Sequence, residues 1–339
     1  MRSCAISALA ALAASGAACG DNLAGPVAIE DYPAAVREAR CRQLVRCSEI
    51  ESVAACLATN IGITVAFEPS VLAAVDAGSI RYRGDQARHC VDALAGASCD
   101  ITSADQRNLP AACNAILESP GLSGDACRLA EECRSHACDV PRCGMACCQG
   151  SCRGVDPPAR AGLGEPCGTG CADGLRCDPE SHQCAALRPR GGACDGLADC
   201  DYGLLCAQHT CETPPGPGQP CSGGCRDAGW TCSSTSHTCV AVGLVGATCG
   251  ITANPSDCSP VYRCDRTGRC SAGIALGQPC GLGDTCAGFG AFCDTAIDGS
   301  AGVCALPRSD GAPCTKDAGC TSLHCDPFTL RCATPAICL

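Results

Sequence analysis

The ten residues CGMACCQGSC, Cys143 to Cys152, hold four cysteines. Thiols at that density can bind a metal as thiolates, exchange electrons as a dithiol, or close disulfides. Spacing discriminates among the three. A tetrahedral zinc site draws ligands in pairs two residues apart, and a dithiol oxidoreductase carries the same Cys-x-x-Cys pattern. That pattern occurs nowhere in the chain, and neither does Cys-x-Cys. Disulfides are therefore expected, with no metal site. Adjacent Cys147 and Cys148 cannot bond each other without strain, so each needs a different partner.

Other residue types offer less. His182, His209 and His237 each stand two residues before a cysteine, a regularity that suggests a ligand ladder. The position is also one arm of a tight hairpin, where a polar residue beside the turn is the simpler reading. Asp139, Asp178, Asp265, Asp294 and Asp326 each directly follow a cysteine and read as turn formers. Gly-x-Ser-x-Gly, His-Glu-x-x-His, a phosphate-binding glycine loop and a calcium loop are all missing from the sequence. Neither an enzyme nor a cofactor is expected.

The framework that must position these groups is set by composition. There are 40 cysteines in 339 residues, about 12%, the level of a disulfide scaffold. Against them stand one Trp, four Tyr, four Phe and two Met, with 40 Gly and 22 Pro. So few large side chains cannot build one large core, so several small covalently cross-linked units are expected. The formal net charge is −11, and the basic residues are scattered arginines with a single lysine, Lys316. A chain without a basic stripe or interleaved aromatics has no means of tracking phosphates, which excludes nucleic acid and charge-driven adhesion to anionic lipid.

Residues 1–20, MRSCAISALAALAASGAACG, begin with Arg2, run apolar from Ala5 to Ala14 and then turn to small residues. This reads as an export signal over 1–18. Its apolar stretch is about half the ~20 residues a spanning helix needs. The following SGAAC resembles a bacterial lipobox, which implies cleavage before Cys19 and acylation of that cysteine, although Gly16 stands where the family usually has a branched aliphatic. Membrane contact would then run through the lipid anchor alone. The alternative is an ordinary signal peptidase cut among the same alanines, which releases the chain. Removing Cys4 with the signal and Cys19 as a thioether, from 40, leaves 38 cysteines, all able to pair; a cut just beyond Cys19 leaves the same number.

Two regions follow an anchor and linker at 19–31. Residues 32–120 read as a mostly α-helical, disulfide-bonded domain of three to five short helices. YPAAVREARCRQLVRC opens with Pro33 near a helix start and repeats apolar residues at three- and four-residue spacing. Ser48 and Glu51 form a capping-box signature before SVAACLATN, and Asp85 precedes QARHCVDALAG, with Gly96 placed to end it. Cys41, Cys47, Cys56, Cys90, Cys99 and Cys113 lie here. Cys41 and Cys47 point to different sides of their helix and should bond different partners.

From Gly124 on, seven units each place glycine three residues before a first cysteine: Cys127, Cys167, Cys194, Cys221, Cys249, Cys280 and Cys314. They span 124–152, 164–184, 191–211, 218–239, 246–270, 277–304 and 311–338, with a linker at 153–163. Each has four cysteines, as in Cys167, Cys171, Cys177 and Cys184. CDRTGRC and CDPFTLRC read as β-hairpins with a cysteine on each arm. Three connectivities are open; first-to-third with second-to-fourth is favoured, because each arm then receives one bond from the preceding loop. Cys143 is taken to close the first unit. Cys147, Cys148, Cys152 and Cys338 then remain to pair with one another, making a knot around Cys143 that brings the tail back to the start of the array. ETPPGPGQ at 212–219 and RGVDPPARAG at 153–162 read as semi-rigid spacers, which makes the array an elongated string of hairpin cystine repeats.

The pieces GDACRLAEEC, CADGLRCD and CDYGLLC resemble the Dickkopf N-terminal cysteine-rich type of repeat, similar to nematode EB modules. With the helical segment and the lipobox, the chain resembles cysteine-rich exported lipoproteins of myxobacteria. The resemblance bears on fold rather than function; the expected function is a non-enzymatic cell-envelope spacer or interaction protein, held at the outer membrane or cell surface and contacting an unidentified protein or cell-surface ligand. The alternative is a freely secreted disulfide-rich binder or inhibitor.

Overall fold

The computed structural model describes residues 25–59, 67–140, 149–154, 160–233, 236–249, 258–265, 267–281, 284–288, 290–295 and 302–333. Helix α1 (Tyr32–Arg46) carries Pro33 in its first turn, and Tyr32, Val36, Ala39, Cys41 and Leu44 are buried along it. Helix α4 (Gly84–Gly96) packs along α1 through Ala87, Cys90 and Val91. Tyr32 stacks on Phe67 at 5.5 Å, and Tyr82 meets both rings edge-on. A short ladder of β1 (Arg81–Tyr82) with β2 (Leu117–Glu118) closes this core. Helices α2 (Val53–Ala58), α3 (Pro69–Asp76) and α5 (Ala104–Arg107) complete the segment.

Three disulfides tie it: Cys41–Cys56 joins α1 to α2, Cys47–Cys99 joins the end of α1 to the loop after α4, and Cys90–Cys113 seals the aromatic core. Two expected caps move. The hydroxyl of Ser52, not Ser48, accepts the Ala55 N–H to start α2, while Ser48 turns the chain out of α1 at φ 60°. Asp85 lies inside the first turn of α4 and pairs with Arg83 at 3.2 Å. A carboxylate there still complements the helix N-terminus.

The seven units share one design. Each has the first cysteine bonded to the third and the second to the fourth, giving 14 of the 17 disulfides among the described residues. The third and fourth cysteines face each other across a hairpin, as Cys177↔Cys184 and Cys325↔Cys332 do. The residue before the first cysteine pairs with the residue before the fourth, as in Pro166↔Gln183 and Ala193↔Thr210. The residue six positions before the first cysteine bridges the second, as in Ala161↔Cys171 and Arg308↔Cys320. The unit thus folds back on itself through both its cystines and its entering strand.

The fixed glycine has a backbone cause. Gly124, Gly164, Gly191, Gly218, Gly246, Gly277 and Gly311 all sit at φ between 72° and 96°. That conformation lets each donate its N–H to the fourth cysteine's carbonyl, at 2.8 Å for Gly191 to Cys211. A β-branched residue there meets the left-handed penalty of about 1–2 kcal/mol. Gly191→Val should therefore speed amide exchange of Gly191 and Cys211 about five- to thirtyfold; unchanged exchange would show that the turn tolerates a side chain.

The first unit departs from its expected cysteine assignment. Cys152, not Cys143, is its fourth cysteine, since it bonds Cys133. The third strand of the unit, β5 (Gly150–Cys152), pairs with both β3 (Ala126–Cys127) and β4 (Cys138–Asp139), placing Cys152 opposite Cys138. In the sequence, residues 140–149 separate these two strands, and Cys143, Cys147 and Cys148 fall among them. Cys152 therefore leaves the expected knot; its other members Cys143, Cys147, Cys148 and Cys338, like Cys19, lie outside the described residues. Unit seven likewise closes at Cys332, before 338.

Nor is the array held away from the helices. In unit one, Glu132 accepts the Ser79 hydroxyl at 2.7 Å. In unit three, Arg107 donates to the Cys200 carbonyl at 2.6 Å and Gly203 donates to Thr102 at 3.1 Å. In unit four, Asp227 bridges Asp100 and Ala228 donates to the Cys99 carbonyl at 2.8 Å. Cys41, Leu44, Ile50 and Cys56 share one buried cluster with Cys249, Cys258, Tyr262 and Cys270 of unit five. ETPPGPGQ is accordingly no spacer: the Pro215 carbonyl accepts the Arg226 N–H at 3.0 Å and so belongs to unit four.

Candidate functional site

Groups of three sulfurs lie within 4.8 Å of one another, among them Cys167, Cys171 and Cys184, and Cys194, Cys200 and Cys211. They are the crossed disulfides themselves, and a bonded sulfur has no thiolate to offer a metal. The histidine ladder resolves in the same way. His182, His209 and His237 occupy one left-handed turn position, at φ 54°, 59° and 50°, where units five and seven have Gly268 and Leu330. The carbonyl at that position accepts the first cysteine's N–H, at 3.0 Å for His182 and Cys167, a task that does not use the imidazole.

The aspartates after the third cysteine shape the same hairpin. Oδ1 of Asp178 accepts from Glu180 and Ser181, that of Asp265 from Thr267 and Arg269, and that of Asp326 from Phe328 and Thr329. These donors hold the three carboxyls below the usual carboxylate range.

The seam between helices and array carries its own carboxylate. Glu51, expected as a cap, instead accepts the Tyr262 hydroxyl and, at 3.2 Å, the Val245 N–H. Burial pushes its carboxyl up, but these hydrogen bonds outweigh burial and hold it below the usual range. Burial, the bond to Glu51 and that group's charge raise the Tyr262 phenol.

The joints between units vary most. At five of them the fourth cysteine precedes the next first cysteine by ten residues, as Cys184 precedes Cys194 and Cys270 precedes Cys280. With length fixed, what fills a joint is set by two positions: the residue before the third cysteine, and the residue before the second cysteine of the next unit. Between units three and four, Leu205 lies against Gly224, whose Cβ would sit 3.6 Å away. Between six and seven, Phe292 lies against Gly319 and under Lys316, whose Nζ is 5.2 Å from the ring centroid.

An arginine stands before the third cysteine in two joints, and each forms a cleft. Between units two and three, buried Arg176 faces Asp199 at 3.7 Å and Asp178 at 3.0 Å, in a cleft of about 350 Å³. Between units five and six, Arg263 and Thr285 stand at the same positions in a cleft of about 510 Å³. Sequence reading missed both, because their residues are spread over two units; the signal was the constant ten-residue spacing. The chain matches no family model, no curated protein and no solved structure.

Proposed function

We propose that the chain is a non-enzymatic exported protein that serves the cell envelope as an interaction or spacer module, anchored by lipid at Cys19. The observation that supports it best is the crossed pair of disulfides in all seven units. Such bonds form and persist in oxidising compartments. The small-residue run into Cys19 supplies the address, and among the described residues no helix is long and apolar enough to cross a membrane. An acyl anchor would then supply membrane attachment. In this reading the joints and outer hairpins of the docked array are the surfaces offered to partners.

The test is metabolic labelling with an alkyne fatty acid in a bacterial host. Wild-type protein should take up label and partition with membranes, and Cys19→Ala should lose both properties. Unlabelled wild-type protein accumulating in the medium would replace this reading with that of a secreted binder.

A further inference from the structure

We propose that the cleft between units five and six binds a carboxylate of an acidic peptide, with Arg263 as its counter-charge. The two polar clefts are built from equivalent repeat positions. Arg176 and Arg263 each precede a third cysteine, Asp178 and Asp265 follow it, and Ala193 and Pro279 precede the next first cysteine. Asp199 and Thr285 each precede the next second cysteine.

The first cleft shows what this architecture does with an arginine. Arg176, its side chain 8% exposed, is met by the carboxylate of Asp199 from the neighbouring unit. Asp199 is held for that role, since its other oxygen accepts the Asp195 and Gly196 N–H groups at 2.8 and 3.2 Å. In the second cleft Thr285 stands in that place, and the carboxylate that unit six contributes to the lining, Asp284, comes one residue earlier and makes no ion pair with Arg263. Arg263 is exposed and makes no ion pair among the described residues. Neither carboxylate in the lining pairs with it: Asp265 Oδ1 takes the Thr267 N–H at 2.8 Å and hydroxyl at 2.6 Å, and Asp284 takes the Gly281 N–H at 2.8 Å.

A ligand carboxylate entering where Asp199 stands in the first cleft would restore the missing pair. The guanidinium fork suits that group, since it can donate two parallel hydrogen bonds to one carboxylate. Thr267, Ser271 and Thr285 are polar residues of the lining, while Ile274 and Pro279 are apolar residues suited to the stem of an aspartate or glutamate. The volume falls within the range of small-ligand pockets. This gives the interaction reading a ligand class and rests on that reading only for its biological use; lipidation at Cys19 does not enter.

The probe is acetyl-Gly-Asp-Gly-amide titrated into the ¹⁵N-labelled oxidised protein, with acetyl-Gly-Asn-Gly-amide as its neutral counterpart. Saturable shifts are expected at Thr267, Ser271 and Thr285, with the Asp peptide bound about tenfold more tightly than the Asn peptide. Arg263→Gln should erase that difference. Thr285→Asp, which supplies an internal carboxylate as Asp199 does, should weaken the Asp peptide about tenfold while amide signals elsewhere stay in place. Equal binding of the two peptides, shifts centred outside the cleft, no binding, or a Thr285→Asp variant that binds as wild type would each overturn the proposal. None of these outcomes touches the fatty-acid labelling result.

Discussion

Changing Cys200 and Cys211 together to serine should unfold unit three while leaving the helical segment intact. The buried cluster of this unit consists of Cys194, Cys200 and Cys211, with Leu204 and Cys206 against it. Burying one leucine is worth about 2 kcal/mol, so side-chain burial alone cannot order some twenty residues. The Cys200–Cys211 bond closes a separation of 11 residues, for which the chain-entropy model gives about 3 kcal/mol. Both cysteines have no solvent-exposed surface, so the serines would also bury hydroxyl groups, at a further cost of about 1–3 kcal/mol each where no partner is found.

Amide exchange in 194–211 should rise to near the unfolded rate, and the carbonyl contacts that Arg107 makes with Cys200 should go with it. Exchange in α1 and α4 should stay slow, since Cys41–Cys56, Cys47–Cys99 and Cys90–Cys113 are untouched. Retained protection across 194–211 would mean that the remaining Cys194–Cys206 bond and the docking on α5 hold the unit, and that cystine is not its main support.

The extent to which this structure is legible in the sequence follows from the range of each interaction. Cysteine spacing, the glycine three residues before it and the aspartate after it all act within one hairpin, so the type of unit and its crossed pairing can be reasoned out locally. The first unit resists that reading because three further cysteines, Cys143, Cys147 and Cys148, stand in the sequence between its third, Cys138, and its fourth, Cys152. Spacing alone then favours Cys143, whereas the pairing of Gly150–Cys152 with two strands selects Cys152. Ser48 and Glu51 match the capping pattern, but Ser52 is the serine directly before α2, and Glu51 finds partners roughly two hundred residues away, at Val245 and Tyr262. Contacts at that separation leave no periodic trace. The docking of the array is illegible for the same reason: it runs through backbone groups such as Ala228 N–H and Cys99 C=O, which every residue type possesses.

One residue reports on that docking more sharply than any other. Gly229, in unit four, has ample conformational freedom for a side chain, since it is not among the residues with positive φ. A Cβ there would nevertheless fall far inside contact distance of the Cys47 carbonyl oxygen, and 3.4 Å from the backbone carbons of Cys47 and Ser48. Neither backbone can yield easily, because Cys47 is bonded to Cys99 and the Cys99 carbonyl receives the Ala228 N–H next to Gly229. Gly229→Val should therefore cost about 1–3 kcal/mol through overpacking, and separating the two surfaces is the direct way to relieve it. The radius of gyration from small-angle scattering should increase, and the amides of Ile101 and Ala228 should lose protection together, while the hairpin amides of unit four remain slow. Gly168→Val in unit two, where an added Cβ meets nothing within 4 Å, should change none of these. If Gly229→Val leaves both the radius and the two amides as they are, unit four does not depend on the helical segment for its place.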